Sequence, residues 1–199
     1  MNNHHIITIE RQYASGGQQI GSQLAEKLGY KFYNDEILSM AAKKLNIAAD
    51  YVKHLEETST NSFLYTVARA ASFTEDQELS DKLFYAESEL INSLALTGNC
   101  VIVGRCASQI LANNKSCLSV FIHANEDVRI KRAVEEYGVL ENEARDVLRR
   151  NDKRRAAFYN ARADKKWASM DTYDVCLNSG ALGIDGCVEL LASLAAPCI

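Results

Sequence analysis

The feature that most constrains this chain is the run IITIERQYASGGQQIGSQLAEKLG, residues 6–29. Ile7, Thr8 and Ile9 form a β-branched stretch suited to a strand. Gly16 and Gly17 follow as neighbours, so backbone N–H groups can crowd together there with no side chain in the way. Ile20, Leu24, Ala25 and Leu28 then recur on one helical face, and Gly29 supplies a C-cap. A strand, a glycine turn and a helix N-terminus offer exposed amides and the positive end of a helix dipole to an anion. The run therefore reads as a phosphate-binding loop, although it departs from the usual G-x-x-x-x-G-K-[ST]. In register, Arg11 stands at the first Gly, Gly16 at the second, Gly17 at the Lys and Gln18 at the Ser/Thr. A tight strand-to-helix turn without a ligand is the competing reading.

The rest of the chain alternates strands with helices. Tyr30–Tyr33 is a brief aromatic strand, and Asn34, Asp35 and Glu36 cap a helix carrying Ile37, Leu38, Met40, Ala41 and Leu45. From residue 50 to about 99 the pattern is helical, with breaks expected at 58–62 and 72–76. Cys100, Val101, Ile102 and Val103 form the apolar run of a strand buried on both faces. A short helix over 107–111 leads to a strand over 118–123. Asn125, Glu126 and Asp127 cap the next helix, and residues 141–162 form one long charged helix or a helix pair. A last strand over 173–178 precedes a helix from Ile184 to about Leu194. This alternation predicts an α/β fold with a parallel sheet.

At 199 residues the chain suits one large domain, or one domain with an inserted lobe. A net charge of -4 argues against a broad nucleic-acid or membrane surface, and no apolar run is long enough to span a bilayer. The six cysteines form no CxxC pair and show no zinc spacing, which suits reduced thiols in the cytoplasm and no metal site. Strand-like sequence begins within a few residues of Met1, so no signal-peptide h-region is expected.

Three further positions bear on phosphate chemistry. Arg105 follows Gly104 directly after a buried strand, where a guanidinium could grip a phosphate or else pair with a local carboxylate. Arg149, Arg150, Lys153, Arg154, Arg155 and Arg162 make a local positive excess that could close over polyphosphate or be a solvated face. Asp35 could accept hydrogen bonds from a ligand, but taken alone it reads as a helix cap. Glu10, ending the first strand, could orient a metal-bound water, whereas His123 reads as structural.

The segments ITIERQYASGGQQIGSQLAEKLGYKFYNDEIL, VIVGRCASQIL, VFIHANEDVRIKRA, RNDKRRAAFYN and YDVCLNSGALGIDGCVELL together resemble the cytidylate kinase-like family of P-loop proteins. The resemblance implies a three-layer α/β/α nucleoside monophosphate kinase fold in a single domain over 1–199. A helical NMP-binding insertion would span about 35–98 and an Arg-rich lid about 145–165. It implies transfer of the γ-phosphoryl of ATP, with Mg²⁺, to a pyrimidine monophosphate. Ala14, Ser15, Gly16, Gly17, Gln18 and Gln19 would hold the donor phosphates. Tyr33, Asp35 and Arg105 would lie on the acceptor side, and Arg154 and Arg155 would act as lid arginines. The chain departs from the family at Gly17 and Gln18, which lack the loop lysine, its small or hydroxyl neighbour, and the basic residue that divergent members place after the paired glycines. Arg11 folding back to supply that charge is one expectation. A nucleotide-binding or regulatory protein that has lost the transfer is the alternative function. The acceptor base and the oligomeric state are not legible.

Overall fold

The computed structural model describes residues 4–48 and 75–195. Among them five strands form one parallel sheet: β1 (Ile6–Arg11), β2 (Lys31–Tyr33), β3 (Cys100–Val103), β4 (Cys117–His123) and β5 (Val175–Asn178). Their order is β2-β3-β1-β4-β5, with Ile7 of β1 opposite Val101 and Leu118. The helices are α1 (Gly17–Leu28), α2 (Glu36–Lys44), α3 (Glu75–Leu96), α4 (Ala107–Ile110), α5 (Glu126–Glu135), α6 (Glu141–Asn160) and α7 (Ser179–Ala195). The expected helix break at 58–62 lies outside the described residues, as does most of the one at 72–76.

Alternation along β1 sorts the two faces of the sheet. Ile7 and Ile9 meet Ile20 and Leu24 of α1 and Val188 and Leu191 of α7. Burying a side chain such as Ile20 or Leu24 contributes roughly 1.5–3 kcal/mol, so this face fixes α1 against the sheet. Ile6 and Ile102 face the other way, against Ile37 of α2, Ile91 of α3 and Ala107 of α4. The fold is thus the expected three-layer α/β/α, with a sheet buried on both sides.

Several local expectations are corrected. The Asp35 side chain makes no cap hydrogen bond; instead Glu36 Oε2 accepts the Asn34 amide at 2.9 Å. Asn125 likewise makes no cap bond, and its Oδ1 accepts from Asn178 Nδ2 at 3.3 Å. The last helix follows a break at Gly183 (φ 71°, ψ 170°), as expected from Ile184 onward, but a short helical turn from Ser179 precedes that break. Tyr173 and Asp174 lie outside β5, and Asp174 Oδ2 accepts from the Ser119 amide and hydroxyl at 2.9 and 2.6 Å. Residues 141–160 are one helix, not a pair.

Glu10 is not placed to orient a metal-bound water. It is buried (4 % exposed) on the α3/α4 side, near an aromatic cluster of Phe121, Tyr159, Trp167 and Tyr173. Burial pushes its carboxyl above the ordinary range, while Arg11, Arg155 and the Trp167 indole pull it down less strongly. Neither Glu10 Oε1 nor Trp167 Nε1 has a hydrogen bond of good geometry among the described residues. A carboxyl whose folded pKa is raised favours the fold fully below its ordinary value of 4.5 and loses that contribution as pH rises through the folded pKa. Glu10→Gln is therefore expected to raise the urea midpoint relative to wild type at pH 8, and the gain should vanish towards pH 4.

Candidate active site at the strand ends

Because every strand is parallel, the ends of β1, β2 and β3 lie on one edge. Between β1 and β3 the connections diverge: α1 leads past β3 to β2, while α4 leads back past β1 to β4. Such a switch point opens a crevice for ligands. Residues 12–16 cross it and deliver the chain into α1, with Ala14 (φ 57°) and Gly16 (φ 78°) in the left-handed region.

The carbonyls of this loop are tied back one after another. Arg155 Nη1 donates to Arg11 O at 3.1 Å, Arg129 Nε to Tyr13 O at 2.8 Å and Arg132 Nη1 to Ala14 O at 3.0 Å. The Ser15 hydroxyl donates to Gln12 O at 2.9 Å, the Ser179 hydroxyl to Ser15 O at 2.5 Å and the Ile20 amide to Gly16 O at 2.9 Å. Across a planar peptide the next N–H points opposite to the carbonyl. Fixing Ser15 O and Gly16 O therefore fixes the Gly16 and Gly17 amides facing the other way. No side chain caps the helix there, so the first amides of α1 stay open to an anion.

Helices α5 and α6 brace the loop from outside. Asp152 Oδ1 accepts the Tyr13 amide at 2.7 Å, and its Oδ2 pairs with Arg129 Nη2 at 2.6 Å. Gly16 has no room for a side chain, since a methyl there would collide with Ile184 Cδ1 of α7 and lie 3.2 Å from Arg132 Nη1.

The arginines form a strained cationic group. Burial lowers the pKa of Arg11, with Arg105 and Arg154 adding repulsion and Glu10 and Asp35 opposing it. Burial, then Arg11, push Arg155 down to about 9, so it is still charged at neutral pH. Arg154 bonds Asn151 Oδ1 at 3.1 Å, and the Arg155 guanidinium lies 5.7 Å from the centre of the Tyr13 ring.

The acceptor-side residues are less united. Asp35 and Gln18 line one groove of about 490 Å³ with Phe32, Asn34, Glu36, Ser39, Met40 and Lys43. Tyr33 does not line it and packs against the core that includes Ile37 and Ile91. Arg105 pairs with the buried Glu87 of α3 at 2.5 Å and lies 4.9 Å from the centre of the Phe158 ring. The carboxylate reading of Arg105 is thus realised, and a ligand phosphate would share that guanidinium with Glu87.

Sequence reasoning missed Arg129, Arg132, Asp152, Ser179 and Glu87. Arg129 and Arg132, three residues apart on a charged helix, were the one readable signal, because such spacing puts both on one face. The Mg²⁺ seat of an ordinary phosphate loop is not matched: Gln18 replaces the hydroxyl residue and Glu10 is buried. Among the described residues no group of three or more His, Cys, Asp and Glu could hold a metal ion.

A loop of this kind on this sheet defines a kinase-like P-loop protein. More narrowly, the chain belongs to the cytidylate kinase-like family, whose profile matches residues 6–181. An uncharacterized protein from Eubacterium ventriosum is 26% identical, with 96% of this chain and 97% of that one covered and a TM-score of 0.71. Shikimate kinase from Bacteroides thetaiotaomicron is 16% identical, with 95% and 97% covered and a TM-score of 0.55. Shikimate kinase from Acinetobacter baumannii, in complex with shikimate, is 13% identical, with 97% and 93% covered and the same TM-score. These two likenesses establish the fold alone. No curated protein matches the chain. Among the described residues no helix is long and apolar enough to cross a membrane.

Asp152 bridges α6 to the loop, so its removal should loosen both. Asp152→Ala is expected to cost about 1–3 kcal/mol in urea unfolding. It should also weaken tripolyphosphate binding about tenfold by calorimetry, through a less ordered loop.

Proposed function

We propose that the protein is an ATP-dependent small-molecule kinase that moves a γ-phosphoryl group to a pyrimidine nucleoside monophosphate such as CMP. The observation that carries this reading is the outward tethering of the loop carbonyls, which leaves preorganised amides facing a crevice ringed by arginines. Phosphoryl transfer depends on positioning and on charge stabilisation, and such a site supplies both.

In this reading Ala14, Ser15, Gly16, Gly17, Gln18 and Gln19 hold the donor phosphates. Arg154 and Arg155, on α6, neutralise charge on the moving group. Arg155 also bonds the loop at Arg11 O, so movement of α6 would couple lid position to loop order. The acceptor occupies the groove lined by Asp35, with its phosphate reaching Arg105 at the end of β3, while Tyr33 supports that side from the core. Mg²⁺ would arrive on the phosphate oxygens of ATP, neutralising part of their charge, since among the described residues no cluster of three or more His, Cys, Asp and Glu stands ready to hold it. Free nucleotides in the cytoplasm, rather than nucleic acid or a membrane, are the partners in this reading. About 35–98 would then be the acceptor-binding insertion and about 145–165 the lid.

A second reading has its own support. Gly17 and Gln18 remove the usual lysine and hydroxyl, and Glu87 already engages Arg105. A protein that binds nucleotide and transfers nothing fits those facts.

A coupled ADP-release assay with ATP–Mg²⁺ against a panel of nucleoside monophosphates separates the two. The kinase reading predicts turnover above background with CMP, dCMP or UMP, reduced at least about a hundredfold by Arg154→Ala. Tight ATP binding with no turnover on any acceptor would favour the regulatory reading.

A further inference from the structure

Arg11 and Gly17 stand in an unusual relation. In the ordinary loop pattern the residue at position 11 is glycine and the residue at position 17 is basic. Here position 11 is basic and position 17 is glycine. The structure puts these two positions in contact. A methyl built on Gly17 would lie 2.6 Å from Arg11 Cβ and 2.9 Å from Arg11 Cγ. The stem of Arg11 therefore fills the space into which a side chain at position 17 would grow.

The far end of Arg11 is accommodated as well. A methyl built on Gly104 would collide with Arg11 Nη1 and lie 3.2 Å from Cζ. The guanidinium thus crosses from the end of β1 to the end of β3, over the switch point of the sheet. Gly104 also has a left-handed φ of 78°, so any other residue there would be strained twice over. Among the described residues no hydrogen bond or ion pair takes up the Arg11 guanidinium, although Glu10 and Asp35 attract it through space.

We infer that Arg11 is the phosphate-binding cation of this loop, exchanged with Gly17 so that the charge reaches the outer phosphates of a nucleoside triphosphate from the strand instead of from the helix. The exchange is reciprocal and steric. A basic side chain at either position requires glycine at the other, and the cation from position 11 further requires Gly104. The loss of the usual lysine is on this account a relocation, and Arg11 binds the anion directly. The inference rests on the reading that the loop holds phosphate.

Calorimetric titration with tripolyphosphate and with ATP, on the full chain, tests it. Arg11→Met should weaken both ligands about tenfold to a hundredfold, and Arg11→Lys should stay within about threefold of wild type. Gly17→Lys alone should lower the thermal midpoint and bind poorly, because its stem meets that of Arg11. The double variant Arg11→Gly/Gly17→Lys should recover most of the lost affinity by restoring the ordinary arrangement. Wild-type affinity in Arg11→Met would overturn the inference and leave the phosphate loop standing. A wild-type protein that binds neither ligand would overturn the loop reading, and the inference with it. If the double variant does not fold, the Met and Lys variants decide the question.

Discussion

The structure depends on the outward tethering of one loop. Six consecutive carbonyls, from Arg11 to Gly16, each accept a hydrogen bond, and three of the donors are arginines from α5 and α6. An isolated loop would let those peptide planes rotate, and the amides would then sample many directions. Tethered, the Gly16 and Gly17 amides are held facing away from the bonded carbonyls before any anion arrives. The Gln12, Tyr13 and Ser15 amides are already committed to Ile122 O, Asp152 Oδ1 and Gln12 O. Binding then orders fewer groups, which is the physical content of preorganisation. Gly16, wedged against Ile184 and Arg132, and Ser179, reaching back from the end of β5, secure the loop from the side of α7.

The cost of this arrangement is concentrated positive charge in an acidic protein. Arg11, Arg105, Arg154 and Arg155 repel one another, and acidic residues hold them in place. Glu87 pairs with Arg105, Asp152 pairs with Arg129, and Glu10 attracts Arg11 and Arg155 from beneath the loop. Glu10 is unusual among these, since burial raises its pKa more than the arginines lower it. A polyphosphate would relieve the repulsion directly.

Much of the architecture was legible. The run Cys100–Val103 is apolar throughout because both of its faces are covered, and the glycine pair after β1 marked the loop. What the sequence hid were contacts between distant elements. Asp152 sits in a run of alternating charge that looks like a solvated face, yet it bonds Tyr13 from 139 residues away. Asp35 had the spacing of a cap, but Glu36 reaches back to the Asn34 amide and leaves Asp35 lining the groove. The polar Thr8 and Glu10 alternate with Ile7 and Ile9 on β1, so a buried carboxylate could have been suspected. Its aromatic surroundings, drawn from Phe121 and from residues between 159 and 173, could not.

The central claim is that the amides at the start of α1 are already aimed at a phosphate. Titrating the ¹⁵N-labelled protein with tripolyphosphate and following each amide by NMR tests it most directly. The account predicts large shifts confined to residues 14–19 and the Arg11 side chain, while the Tyr13 amide, committed to Asp152, moves little. Shifts centred elsewhere, or a general response along the basic face of α6, would contradict it.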